Sequence, residues 1–137
     1  MPRTFRDIAL LIRVDKNHKI LLQHRTHDAP VDPDCWGFFG GGLEGNEEPE
    51  EAIKREILEE IGYTLKDPHL VQKTTYENGE RYGTRYLFLE KYDHCQKIVL
   101  CEGQGFAWVG LLELAGHNII PTVLDSLDPV KHLVLSV

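Results

Sequence analysis

The sequence has only three cysteines, which is too few for a disulfide framework. Cys35, Cys95 and Cys101 are odd in number and include no Cys-x-x-Cys pair. Small secreted domains that depend on disulfides carry a larger, even set. We therefore expect reduced thiols and a cytoplasmic protein.

Long hydrophobic runs and an excess of positive charge are also missing. The N-terminal region holds an apolar run of only five residues, 8–12, which is too short for a signal peptide or a membrane span. The 22 acidic residues outnumber the 15 Lys and Arg, and the net charge is −7. Phosphate backbones are bound through basic surfaces, so we expect neither nucleic acid nor a membrane as a partner. A small polyphosphate is still compatible with this charge, because a bound metal ion can supply local positive charge.

The 137 residues are enough for one domain with a buried core, so we expect a single domain over residues 1–137. Strands are predicted at 7–14, 19–25, 69–77, 80–92 and 106–109, with an Asn78-Gly79 turn between the third and the fourth. Helices are predicted from Pro49 to Gly62 and at 122–127, with one helical turn at 111–115. This alternation predicts an α/β fold.

The helix predicted from Pro49 concentrates acidic residues on one side. At about 100° per residue, Glu56, Glu59 and Glu60 fall within an arc of roughly 100° that borders an apolar stripe. Charged helix residues usually form a solvated face, and Glu50 with Lys54 fits that alternative. We expect no Lys or Arg three or four residues away to point into this arc, so the carboxylates repel one another. A divalent cation would turn this repulsion into binding, and the helix therefore predicts a metal-dependent enzyme.

These residues resemble the signature of the Nudix hydrolases. Its fixed positions are met by Gly41, Glu47, Arg55, Glu56, Ile57, Glu59, Glu60, Gly62 and Tyr63. Tyr63 stands where an aliphatic residue is commoner, and Asn46 stands where many members have glycine. The similarity to MutT-type members extends over most of the chain length. It implies an α/β/α sandwich with a mixed, largely antiparallel sheet.

The resemblance also implies the metal ligands. Glu59 and Glu60 are expected to be the principal ligands of Mg²⁺, with Mn²⁺ as a substitute. Glu56 is expected to be a further ligand or the base that deprotonates the attacking water. The carbonyl of Gly40 would complete the metal shell, because a loop without a side chain can approach the ion closely.

The other signature residues are expected to support the site. Glu47 and Arg55 would form an ion pair that ties the glycine-rich loop to the helix and orients Glu56, with direct chemistry as the alternative. Gly41 would serve the loop backbone, and Gly62 would end the helix.

Two residues outside the signature complete the expected site. Glu102 lies in Cys101-Glu102-Gly103-Gln104, and MutT-like proteins carry a similar Glu-Gly-Gln whose glutamate is a further metal ligand. A solvated loop glutamate is the alternative. Arg25, at the end of the second predicted strand, matches an arginine that contacts substrate in MutT-type enzymes, with a sheet-edge cation as the alternative.

Together these features predict a Mg²⁺-dependent pyrophosphohydrolase that cleaves a nucleoside triphosphate to a monophosphate and pyrophosphate. The resemblance leaves open hydrolysis of nucleotide sugars, ADP-ribose or dinucleoside polyphosphates, and also a non-catalytic nucleotide-sensing domain. Sensors commonly lose one or more of the signature carboxylates, which are all present here. MutT-type members recognise 8-oxoguanine through an asparagine whose position falls near Ile120-Pro121, which leaves oxidised-guanine specificity unsupported. Related proteins are commonly homodimers, so the resemblance implies a homodimer as well.

Overall fold

The computed structural model describes residues 3–30, 32–77, 79–93 and 95–136. Within these ranges the strands are β1 (Thr4–Phe5), β2 (Ile8–Val14), β3 (Ile20–His24), β4 (Trp36–Gly37), β5 (Phe39–Gly42), β6 (His69–Glu77), β7 (Arg81–Lys91) and β8 (Gly105–Val109). The helices are α1 (Pro49–Ile61), α2 (Pro121–Leu127) and α3 (Lys131–Ser136), with 3₁₀ turns at Leu111–Gly116 and Asp128–Val130.

The strands form one mixed sheet. Its main order is β1-β7-β2-β3-β4, and β5, β6 and β8 pair with β2, β7 and β3 respectively. β7 runs parallel to β1 and β2, whereas the other pairs are antiparallel. The predicted mixed, largely antiparallel sheet is therefore confirmed.

Helices cover both faces of the sheet, which gives the predicted α/β/α sandwich. On one face the buried isoleucines of α1, Ile53, Ile57 and Ile61, pack in a cluster with Phe39 of β5. On the other face α2, α3 and the two 3₁₀ turns pack against the inner residues of β2 and β3. None of the helices in the described ranges has the length and apolar character needed to span a membrane.

The bounds of α1 agree with the prediction. The helix begins at Pro49, and the N–H of the preceding Glu48 donates to Glu51 Oε1 at 3.0 Å. Glu48 is therefore the N-cap residue, and the Glu51 side chain satisfies its N–H. The helix ends at Gly62, whose φ of 62° is left-handed and whose N–H donates to the Leu58 carbonyl at 3.0 Å.

The other predicted elements are also present, with small differences at their ends. β6 and β7 pair as the expected hairpin, although Asn78 of the predicted turn lies outside the described residues. The predicted turn at 111–115 is a 3₁₀ helix, and the predicted terminal helix at 122–127 begins one residue earlier, at Pro121. The short helix α3 was not predicted from the sequence.

Candidate active site

A cleft of about 400 Å³ opens between α1, β5 and the loops that follow β3 and precede β8. Six of the predicted site residues line it: Arg25, Gly40, Gly41, Glu56, Glu60 and Glu102. The cleft therefore unites parts of the signature with both residues that were predicted outside it.

Glu60 is the most buried carboxylate of the cleft, with 4% of its surface exposed. Its Oε1 accepts a hydrogen bond from the N–H of Gly40 at 2.8 Å. Burial, followed by a hydrogen bond and charge repulsion with Glu102, raises the pKa of Glu60 from 4.5 to about 9. Without a cation, Glu60 therefore keeps its proton at neutral pH.

Glu56 lies one helical turn before Glu60 and shares the cleft with it. Its side chain is only 14% exposed, and burial raises its pKa, against the lowering effect of the Arg55 guanidinium. A side chain at Gly41 would place its Cβ only 2.6–2.8 Å from the Glu56 carboxyl atoms. Glycine at position 41 therefore gives this carboxylate its room beside the loop.

Arg55 joins the glycine-rich loop to the acidic face of α1. Its Nε and Nη2 donate to the two carboxylate oxygens of Glu47 at 2.7 and 2.9 Å, and Nη2 also donates to the Gly42 carbonyl at 3.0 Å. The Arg55 hydrogen bond lowers the pKa of Glu47 to about 2. The ion pair expected between Glu47 and Arg55 is therefore present.

The expectation that no cation points into the acidic arc is wrong. Arg55 Nη1 donates to Glu56 Oε1 at 3.0 Å and to Glu59 Oε2 at 3.3 Å. The long arginine side chain reaches along the helix surface, so the guanidinium meets carboxylates one and four residues later. Arg55 thereby offsets part of the repulsion between these two glutamates.

Glu59 occupies a different position from the other signature glutamates. Its side chain is 60% exposed, and it is not among the residues that line the cleft. Arg55 Nη1 holds its carboxylate beside that of Glu56.

The loop before β8 brings Glu102 next to Glu60. The Cys101 N–H donates to the Glu60 carbonyl at 2.7 Å, and Gln23 Nε2 donates to the Glu102 carbonyl at 3.3 Å. Gly103 has a φ of 87°, and a Cβ there would lie 2.9 Å from Gln23 Nε2. A glycine is thus required where this loop crosses β3.

Sequence reasoning missed two glutamines that hold this part of the site, Gln23 and Gln104. Gln23 is a polar residue that is only 5% exposed in a strand of apolar residues, and that interruption of the predicted strand was a usable signal. Gln104 closes the Glu-Gly-Gln motif, but nothing local indicates what its side chain binds.

The donor set suits a hard divalent cation, although it is not assembled around one. Within the described ranges, no three His, Cys, Asp or Glu side chains are arranged to hold a metal ion as they stand. The cleft nevertheless offers carboxylate and backbone oxygens, which are the ligands that Mg²⁺ and Mn²⁺ prefer. The proton on buried Glu60 reduces the negative charge of the cleft, and a bound cation would do the same.

A family model for the NUDIX domain matches residues 4–127 of this chain. The chain belongs to the Nudix family. The chain is a Nudix hydrolase. It is 32% identical over 127 residues to an 8-oxo-dGTP diphosphatase of Escherichia coli K12, which covers 92% of this chain and 96% of that protein. It is 33% identical over 112 residues to the nucleoside triphosphatase NudI of Escherichia fergusonii, covering 72% and 78%.

Solved Nudix structures share the fold at lower sequence identity. A MutT Nudix hydrolase from Burkholderia pseudomallei superimposes with a TM-score of 0.81 at 22% identity, covering 93% of this chain and 99% of that one. A MutT protein from Methanosarcina mazei Go1 gives a TM-score of 0.78 at 19% identity, covering 92% and 91%. The Nudix fold expected from the sequence is therefore confirmed.

Proposed function

We propose that this Nudix hydrolase is a Mg²⁺-dependent pyrophosphohydrolase that converts a nucleoside triphosphate and water into a nucleoside monophosphate and pyrophosphate. The observation that carries the proposal is the meeting of Glu56, Glu60 and Glu102 with a glycine-rich loop and Arg25 in one cleft. The names of the two relatives, an 8-oxo-dGTP diphosphatase and a nucleoside triphosphatase, support a triphosphate as the substrate.

Nudix hydrolases generally need a divalent metal. In this chain Glu60 and Glu102 would hold the ion, together with the carbonyl of Gly40 and with Glu59. When bound, Mg²⁺ or Mn²⁺ would neutralise phosphate oxygens and lower the pKa of a water molecule. The ion would also offset the electrostatic repulsion among the carboxylates that lie inside the cleft.

We assign the remaining catalytic and binding roles to individual side chains. Glu56 is the proposed base that takes a proton from the attacking water, because its burial raises its pKa and makes it a stronger proton acceptor than an exposed glutamate. Arg55 positions Glu56 through Nη1, and Glu47 in turn positions Arg55. Arg25 lines the cleft and would bind the anionic phosphates of the substrate.

The proposal also covers the domain organisation, the location, the assembly and the base preference of the protein. We propose that residues 1–137 act as one domain, because helices on both faces pack against a single sheet. Three free cysteines support a reducing, cytoplasmic location. A homodimer remains the expected assembly. Ile120 packs against Gly37, and its side chain offers no hydrogen-bonding group, so we propose that the enzyme has no preference for an oxidised base.

The test is a substrate panel with separate readouts for phosphate, pyrophosphate and nucleoside monophosphate. The panel contains nucleoside triphosphates, 8-oxo-dGTP, ADP-ribose, a nucleotide sugar and a dinucleoside polyphosphate, each with Mg²⁺ and with a chelator. We expect one pyrophosphate per monophosphate from triphosphates, and only with the metal present. Turnover confined to ADP-ribose or another diphosphate derivative would contradict the triphosphate assignment, and binding without turnover would identify a sensor.

Matched glutamine variants connect this activity to the cleft. Glu60→Gln and Glu56→Gln remove carboxylates of the cleft, so turnover should be lost in both. Glu50→Gln is the control, because Glu50 is an exposed residue of the same helix that pairs only loosely with Lys54, at 3.8 Å. Equal activity in all three variants would contradict the assignment of the site.

A further inference from the structure

Gln104 joins two segments of chain that both contribute to the lining of the cleft. β3 and β8 are antiparallel, and their last pair is His24 with Gly105. The next residue on each strand therefore faces the other, which places Gln104 beside Arg25. The Gln104 N–H donates to the His24 carbonyl at 2.9 Å. The backbone of Gln104 is therefore anchored to β3 independently of the contacts of its side chain.

The Gln104 side chain reaches into the loop between β3 and β4, which is described over residues 25–30 and 32–35. Its Nε2 donates to the Arg25 carbonyl at 2.6 Å and to Asp34 Oδ1 at 3.0 Å. These two bonds use both hydrogens of the amide nitrogen. His24 Nε2 lies 3.3 Å from the same nitrogen and 3.1 Å from the Asp34 carbonyl. Because both hydrogens of the Gln104 amide nitrogen are already used, we assign His24 Nε2 as a donor to the Asp34 carbonyl.

The loop that Gln104 holds is a wall of the cleft. Thr26, Asp28, Ala29 and Pro30 line the cleft together with Arg25. Asp34, the far anchor of the loop, has a φ of 61°, which is uncommon for a residue other than glycine. An anchor in such a conformation depends on contacts from neighbouring segments.

We propose that Gln104 is a positioning residue that fixes Arg25 and the β3–β4 loop for substrate binding, whereas Gln23 holds Glu102. The division follows from the contacts. Among the described residues, the Gln104 side chain donates to Arg25 and Asp34, whereas Gln23 Nε2 donates to the Glu102 carbonyl. The inference rests on the proposed function, since it assigns Gln104 to the binding of the nucleotide. Loss of the Gln104 amide should therefore raise KM and leave kcat and the Mg²⁺ requirement nearly unchanged.

The experiment compares Gln104→Ala and Gln104→Glu with Gln96→Ala. Gln96 is a matched control, because it also bridges two chain segments through two side-chain bonds, with the Thr64 N–H at 2.8 Å and its carbonyl at 3.0 Å. Its partner Thr64 does not line the cleft, whereas Arg25, the partner of Gln104, does. We expect KM to rise about tenfold in the Gln104 variants, as for the loss of one to two ordinary hydrogen bonds, with kcat within about twofold. Gln96→Ala should keep the wild-type KM.

A double variant separates hydrogen bonding from a general loss of structure. In Gln104→Glu/Asp34→Asn the amide and the carboxylate are exchanged, so the contact between positions 34 and 104 can re-form with donor and acceptor reversed. We expect KM to return to within about threefold of the wild type, because one of the two lost bonds is restored. An unchanged KM in Gln104→Ala, an equal rise in Gln96→Ala, or no rescue in the double variant would overturn the proposal.

Hydrogen exchange tests the same inference without catalysis. The amides of residues 26–29, Asp32 and Asp34 should exchange faster in Gln104→Ala than in Gln96→Ala or the wild type. If the wild type turns over no nucleotide, the proposed function fails, and this exchange experiment alone decides the role of Gln104. Unchanged exchange in the loop would then overturn it.

Discussion

Arg55 and Glu47 face each other across a two-point ion pair, with Nε to Oε2 at 2.7 Å and Nη2 to Oε1 at 2.9 Å. The pair joins the loop before α1 to the middle of the helix. The same guanidinium still has Nη1 available for Glu56. The orientation of a carboxylate inside the cleft therefore depends on a residue that lies outside it.

Arg55→Lys should lower kcat with little change in KM. A lysine ammonium cannot donate in parallel to both Glu47 oxygens and also reach Glu56, because its three N–H donors all belong to a single nitrogen atom. We expect kcat to fall by about 10- to 100-fold, as is typical when a residue that orients a carboxylate of a metal site is changed. Steady-state kinetics measure this, with Lys54→Arg at the neighbouring half-buried position outside the cleft as the control. A selective rise in KM would contradict the positioning role.

Glu60 should make metal-free stability dependent on pH. Its folded pKa is raised from 4.5 to about 9, so the folded state keeps a proton that the unfolded state releases. The free energy of unfolding should therefore fall as pH rises through this range. Mg²⁺ should restore stability and should raise Tm more at about pH 8.5 than at about pH 6, because protons compete with the ion.

Thermal unfolding with chelator and with Mg²⁺ measures this effect, and Glu60→Gln is the control. Glutamine can still accept the Gly40 N–H through its side-chain oxygen but carries no titrating group. The variant should lose most of the pH-dependent response to Mg²⁺. An identical response in wild type and variant would exclude Glu60 as a ligand.

Glu59→Gln should abolish Mg²⁺-dependent pyrophosphate release and leave the fold intact. The side chain is 60% exposed and has one hydrogen bond, to Arg55, so little packing is lost. Activity assays and circular dichroism together test the prediction, again with Glu50→Gln for comparison. Turnover at the wild-type rate would remove Glu59 from the ligand set and leave Glu60 and Glu102, which line the cleft.

Gly41→Ala should impair catalysis through Glu56. The new methyl group would lie 2.6–2.8 Å from the Glu56 carboxyl atoms, so this side chain must move away from its contact with Arg55. We expect kcat to fall at least about tenfold, within the range for misplaced catalytic groups. Gly116→Ala is the control, because no atom lies within 4 Å of a Cβ built there. Wild-type kcat in Gly41→Ala would show that Glu56 tolerates displacement.

Local features of this protein could be predicted from its sequence. The start of α1 at Pro49, its end at Gly62 and the placement of Glu56 and Glu60 on one side depend on residues within one or two turns of each other. The hairpin and the Glu102 loop were likewise marked by glycine. Membership of the Nudix family follows from the same short-range spacing.

The tertiary structure alone decided how distant segments meet. The pairing of β3 with β8 brings Glu102 to Glu60 and Gln104 to Arg25, and no local pattern encodes that register. Burial then sets the proton affinity of Glu60, while the reach of Arg55 determines which carboxylates are neutralised. Helical periodicity and capping act between near neighbours, whereas burial and charge depend on everything that the fold packs around a group.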